Sequence, residues 1–381
     1  QSADDHNSPT TTHKSPSQRK SHNTMTSRKF TSDASLSDCK IPTSATGPYL
    51  PIDDDDIDVF NDILSDEIES VFTSTICCCD HCYDDFRSYW PDTTFRELNF
   101  QRQSIETKWL LETSRTAELY NAAEMSSLQH FVICPRCKRF ESHNLWLYEH
   151  PFSDSLEIEN DIEEIQVLGS RTPFLMLDHP FARRVREQIK QIADSEVPRN
   201  LESPIFRARL VSDVEKLDQQ PSDLSTYAPP PATVAGEGRF NHAGAPMLYA
   251  ASSPATAASE LGRPGEEAYV AEMNILQRVR ILDLLDLDEE QYGFEVLKSL
   301  ASSALLLAPN TGDGWVKKQY IFSRFVGDCA REAGFDAIQY GSVKNVDGKN
   351  IVFLTPPLQF SDFAEICSNE KLVCEEATTR F

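Results

Sequence analysis

The chain has 381 residues, 40% hydrophobic and 25% charged, with 10 cysteines and a formal net charge of −24. These ordinary fractions allow a sizeable core and two modest domains, while the acidic excess excludes a general nucleic-acid binder, which needs surplus Lys and Arg to neutralise phosphates. No apolar run approaches the roughly 20 residues that span a bilayer, and the polar start lacks the apolar core of a secretion signal.

The chain therefore reads as soluble and cytoplasmic; because it opens on Gln1 rather than Met, an upstream segment is expected. Residues 1–48 are rich in Ser, Thr, Lys and His with almost no large apolar side chains. Such a composition cannot offset its ordering entropy, so a disordered tail is expected there. In residues 53–72 acids dominate, while Ile57, Phe60, Ile63, Leu64, Ile68 and Val71 recur at helical spacing. An acidic amphipathic helix follows, either docked through its apolar stripe or binding a partner; a packed helix with a solvated acidic face is the weightier reading.

The cysteines are too sparse for a disulfide scaffold, and a reducing compartment fits them. Cys79 with Cys82 and Cys134 with Cys137 have the C-x2-C spacing that lets two thiolates chelate one tetrahedral ion from a tight turn. Two such pairs predict a zinc-ribbon-like domain over 49–153, its halves separated by a helical insertion that includes SIETKWLLETSRTAELYNAAEMSSL. Cys77, Cys78 and His81 are rival ligands, so the register of the first pair stays open, and a cluster of free thiols is the competing reading. Four sulfur ligands would make a zinc structural, because a catalytic zinc keeps one position open. Residues 154–202 carry an acidic stretch and DHPFARRVREQIKQIADSE, and are expected to form a helical connector.

Residues 203–360 begin with PIFRARL, which alternates like a strand around Arg207 and Arg209. One of the two faces a polar site if the other faces solvent; a salt bridge on the sheet face competes with that reading. A stiff loop with Pro229, Pro230 and Pro231 then leads to GEGRFNHAGAPMLYAASSPATAASE, residues 236–260. Its glycines let the backbone come close to a ligand, and Arg239 and Asn241 offer donors suited to phosphate or ribose. Ser253 is the predicted N-cap and Pro254 the first residue of a helix that carries Glu260. AYVAEMNI and RVRILDL are predicted as consecutive strands under that helix. FEVLKSLASSALLLA and QYIFSRFVGDCAREAG are predicted as helices, the second capped by Gly334. DAIQYGS and KNIVFLTPP give two further strands, and residues 361–381 a loose tail.

The ordered pattern GRFN-x2-G-x3-LY-x7-A-x2-E, with Arg207 ahead of it and Ser342 behind, resembles the RES-domain family over roughly Ile205–Pro357. The resemblance implies an α+β domain with an ADP-ribosyltransferase-like mixed sheet, and a toxin-like enzyme that breaks down NAD. It also implies an antitoxin protein that plugs the pocket as a partner. Arg207 and Arg239 would clamp the pyrophosphate, with Asn241 beside them. Tyr249 would pack on nicotinamide or ribose, Ser342 would hydrogen-bond ribose or phosphate, and Glu260 would stabilise the ribosyl cation. Water, phosphate or a protein side chain could be the acceptor; protein ADP-ribosylation is the second reading and an inactive binding adaptor the third. His242 in the same loop reads as solvated rather than catalytic.

Overall fold

The structure is a computed structural model that describes residues 52–71, 75–91, 104–139, 144–149, 155–285, 294–307, 318–345, 347–357 and 359–376. The expected tail at 1–48 lies outside the described residues. The acidic stretch forms α1 (Asp54–Val71), opened by a reciprocal cap in which Asp56 N donates to Asp53 Oδ1 at 2.9 Å and Asp53 N to Asp56 Oδ2 at 3.2 Å. Its Phe60, Leu64 and Ile68 are buried against Leu111, Leu128, Val132 and Leu145, so the stripe serves packing, while Asp54, Asp55, Asp56, Asp58, Asp62 and Asp66 face solvent.

A small sheet follows in the order β1-β3-β2, from β1 (Thr75–Cys79), β2 (Ser104–Glu106) and β3 (Asn144–Glu149). β1 runs into α2 (Asp80–Tyr89), whose Tyr83 ring stacks on Trp146 of β3 with centroids 4.0 Å apart. The expected helical insertion is three short helices, α3 (Thr107–Thr113), α4 (Thr116–Leu119) and α5 (Ala122–Leu128), preceded by β2, which was not anticipated.

Next come α6 (Ser155–Arg171) and α7 (Pro180–Ser195). The latter is no mere connector: Phe181, Ala182, Val185, Ile189 and Ile192 are buried. Phe181 meets Phe322 of the later helix 321–332 with ring centroids 6.1 Å apart. One cluster of buried side chains runs from Cys79 and Trp90 through Ile162 and Phe181 to Phe240 and Tyr340. Residues 50–381 form one compact unit.

The larger sheet contains β4 (Ile205–Leu210), β5 (Leu248–Ala251), β6 (Glu267–Ile275), β7 (Ile281–Asp283), β8 (Ala337–Gly341), β9 (Lys349–Phe353) and β10 (Ala364–Val373). Its spatial order is β10-β6-β4-β5-β9-β8-β7, antiparallel except for the β7–β8 pair. Around it lie α8 (Val211–Lys216), α9 (Pro254–Glu260), α10 (Phe294–Ser302), α11 (Ala304–Leu307) and α12 (Ile321–Glu332). As anticipated, Ser253 Oγ accepts the Thr256 N–H at 3.2 Å ahead of α9, and Gly334 takes φ +86° after α12.

Two expectations are corrected, whereas the strands expected at AYVAEMNI and RVRILDL are both present as β6 and β7, which four other strands separate within the sheet. The run 294–307 breaks at Ser303, whose hydroxyl donates to Leu300 O at 3.0 Å. The supposed loose tail contains β10, registered along β6 from Ala364↔Ile275 to Val373↔Glu267 with an irregularity at Cys367. It was illegible because most of its residues are exposed, which leaves no apolar alternation to read.

The sheet has one seam. β4 shares a six-residue register with β6, from Ile205↔Met273 to Leu210↔Ala268, but only Phe206↔Ala251 with β5. The sheet parts between β4 and β5.

Candidate active site

A cavity of about 430 Å³ opens at that seam, a size usual for small-molecule sites. It is lined by Arg207 and Arg209 from β4, the loop 235–241, Tyr249 from β5 and Glu260 at the end of α9. Tyr320, Tyr340, Lys344 and Asn350 complete it. Residues that are far apart in sequence thus share one hollow, among them Arg207, Arg239, Tyr249 and Glu260.

Arg207 and Arg209 lie two apart on β4 and both point to the cavity side, so neither faces open solvent. Arg209 donates from Nε to Thr226 O at 3.1 Å and from Nη2 to Ala228 O at 2.9 Å, which ties down the start of the proline segment. Arg207 is buried at 8% exposure and donates from Nη1 to Tyr249 O at 2.5 Å, across the parted seam. Its Nε has no hydrogen-bond partner, and among the described residues no carboxylate forms an ion pair with it. Burial, with the neighbouring Arg209 charge, pulls its pKa down to about 9. Arg207 is a buried cation that lacks a counter-charge.

Arg239 is held differently. Its guanidinium lies 4.7 Å from the Tyr320 ring centroid, and Nη1 donates to Leu306 O of α11. The loop that carries it is fastened to α12. Ser323 Oγ donates to Arg239 O at 2.5 Å, Arg324 pairs with Glu237 at 2.8 Å, and His242 meets Asp328 at 2.8 Å. Gly327 is required by this close approach, because a Cβ there would stand 2.8 Å from Phe240 O.

Asn241 is buried, and both its amide hydrogens are taken, by Gly236 O at 2.8 Å and His242 O at 3.0 Å. Its Oδ1 accepts from Tyr249 Oη at 3.0 Å, and that hydroxyl accepts from Phe240 N at 2.9 Å. Asn241 therefore shapes the loop and, in this structure, offers no free donor to a ligand. Burial pushes the Tyr249 phenol up to about 12, so it stays protonated and keeps this bond at neutral pH.

At the opposite wall Glu260 Oε1 accepts from Ser342 Oγ at 2.6 Å and from Asn350 Nδ2 at 2.7 Å. Oε2 takes no hydrogen bond or ion pair from any described residue. Ser342 is fully buried at 0% exposure, and its oxygen accepts the Lys344 and Asn345 N–H groups at 3.1 and 3.0 Å. With its one hydrogen on Glu260, it faces the carboxylate rather than a ribose or phosphate, which differs from the role the resemblance implied. Lys344 Nζ reaches Glu260 O at 3.4 Å, a cation at the C-terminal end of α9. Tyr320, Lys344 and Asn350 were not singled out from the sequence. Asn350, which stands between Lys349 and the apolar run IVFL, left as little trace as Tyr320.

A second constellation lies in the front part of the chain. The sulfurs of Cys79, Cys82, Cys134 and Cys137 all fall within 4.8 Å of one another, and those of Cys79 and Cys137 are 3.8 Å apart. A zinc–sulfur bond of about 2.3 Å places tetrahedral sulfurs about 3.8 Å apart, so the cluster has the shape to hold such an ion. Cys78 stays outside it and His81 pairs with Asp85 at 3.7 Å, which resolves the register for the described side chains; that of Cys77 lies outside them. Arg136, between the second pair, forms an ion pair with buried Glu159 of α6, which also accepts from Trp90 Nε1 at 2.9 Å.

Residues 209–368 match the family model for the RES domain. No curated protein matches the sequence. Among solved structures, a chain of the M. tuberculosis MbcT-MbcA toxin-antitoxin complex is 14% identical. That match covers 49% of this chain and 93% of the other, with a TM-score of 0.32. Arg207 lies just ahead of the family match, while Arg239, Tyr249, Glu260 and Ser342 lie within it. Over residues 209–368, this chain is therefore similar to the RES domain.

Proposed function

We propose that this protein cleaves the bond between nicotinamide and ribose in NAD. The observation that carries the reading is the pairing of opposites in one hollow: a buried, counter-charge-free Arg207 on one wall and an uncommitted Glu260 Oε2 on the other. A desolvated guanidinium without a carboxylate favours an anion, and a pyrophosphate with Arg207 and Arg239 on it supplies the missing charge. Glu260 then faces the developing ribosyl oxocarbenium ion, where a preorganised negative charge is worth several kcal/mol of barrier. The carbon–nitrogen bond breaks with its electron pair leaving on nicotinamide, which departs neutral. Water then attacks the ribose carbon and loses a proton, or phosphate adds there instead. The Tyr249 ring lines the same hollow and suits packing on nicotinamide or ribose.

At the front cluster we propose a structural zinc on Cys79, Cys82, Cys134 and Cys137, supported by the sulfur spacing and by the closed four-sulfur set. An antitoxin-like protein that covers the cavity belongs to the same reading, through the family resemblance.

Purified protein mixed with NAD, with and without phosphate, tests the proposal by nicotinamide release. Release is expected, and its dependence on phosphate separates phosphorolysis from hydrolysis. NAD left intact would overturn the reading, while ADP-ribose found on protein would make the enzyme a transferase.

A further inference from the structure

We infer that Asn350 is a positioning residue for Glu260, fixing which carboxylate oxygen meets the substrate; this rests on the NAD-cleaving reading above. Glu260 is the last residue of a seven-residue helix, and a glutamate side chain there has free rotamers unless something restrains them. Two neutral donors restrain it from one side, Ser342 at 2.6 Å and Asn350 at 2.7 Å, both on Oε1. A carboxylate only accepts, so the Asn350 amide must present its nitrogen. Both donors come from the β8–β9 hairpin, which is itself laced to α9: Asn345 Nδ2 donates to Thr256 Oγ1 at 2.9 Å, and Lys344 Nζ reaches Glu260 O. Asn350 is buried at 5% exposure beside the apolar core residues Ile351, Val352 and Phe353 of β9, an expensive place for an amide unless its bond is needed. The consequence is a carboxylate held by one oxygen, its second oxygen left to the cavity.

The test uses the full chain. Asn350→Ala is expected to lower kcat for NAD about 10- to 100-fold with KM little changed, the scale of a misplaced reacting group. Asn350→Leu matches the branched heavy-atom shape and cannot donate, and should show the same loss. In a Glu260→Ala background, Asn350→Ala should produce no further loss, because Asn350 acts only through the carboxylate. A full additional loss in that background, or wild-type kcat in Asn350→Leu, would overturn the inference. A crystal structure of Asn350→Leu reads the placement independently of turnover. Glu260 displaced supports the inference, and Glu260 unmoved overturns it, even if wild-type protein leaves NAD intact and the NAD reading alone fails.

Discussion

The cysteine cluster and the arginine–glutamate cavity are both assembled from distant stretches of chain, yet they handle unlike groups in opposite ways. The four sulfurs are drawn within 4.8 Å of one another, and that of Cys134 also accepts the Cys79 N–H at 3.2 Å. The cavity keeps its charges apart: Arg207 and Arg239 bond to carbonyl oxygens, Glu260 to a hydroxyl and an amide, and none of these bonds joins cation to anion. A cluster that closes on itself suits an ion that joins the fold, whereas charges held apart by neutral partners suit a ligand that comes and goes. That difference fits the structural role proposed for the first site and the reactive role proposed for the second.

The contrast can be broken at either end. Replacing Cys134 and Cys137 with Ser together should abolish zinc binding and cost several kcal/mol of stability, because metal affinity at such sites is folding free energy. Elemental analysis should fall from one zinc per chain to none, with faster proteolysis around residues 75–149. Full zinc content in that variant would end the structural reading of the cluster. Glu260→Ala should slow NAD loss about 100- to 1,000-fold while zinc content and melting temperature stay at wild-type values. A matching drop in melting temperature would make Glu260 a packing residue instead.

Arg207→Met sharpens the comparison further. It removes a buried charge without a counter-charge, so stability should hold or rise by about 1 kcal/mol while KM for NAD rises about 10-fold or more. Thermal melts and steady-state kinetics read the two effects separately. The smallest effect is in pH. The Arg207 pKa is depressed to about 9 in the folded chain, below its unfolded value, so the cation is lost as pH rises through about 9. ADP-ribose affinity should therefore weaken above that pH, while folded stability gains over the same window because the unfolded chain then binds the extra proton. Titrating affinity from pH 7 to 10 in wild type and Arg207→Met should show the decline in the first protein alone.

Much of this was legible in the amino acids, and the gaps have physical causes. C-x2-C spacing has few uses, so Cys79, Cys82, Cys134 and Cys137 stood out before any fold was known. The Ser253–Pro254 helix start was equally readable, since capping is local. What the sequence could not carry was partnership between distant residues. Nothing near Ser342 or Asn350 says that both would converge on Glu260, 82 and 90 residues away. Strand order fails for the same reason: adjacency of β6 with β4 and β10, rather than with β7, is decided by long-range pairing.

The last strand has a practical consequence. β10 covers the outer edge of β6, and β6 lies directly beside the strand that carries Arg207 and Arg209. Cutting the chain near residue 360 would bare nine residues of hydrogen-bonding edge, with Ala268, Val270 and Met273 along it. A naked edge of that length recruits other chains and aggregates. Insolubility of such a shortened protein would therefore reflect a lost sheet margin, not a defect in the reactive centre.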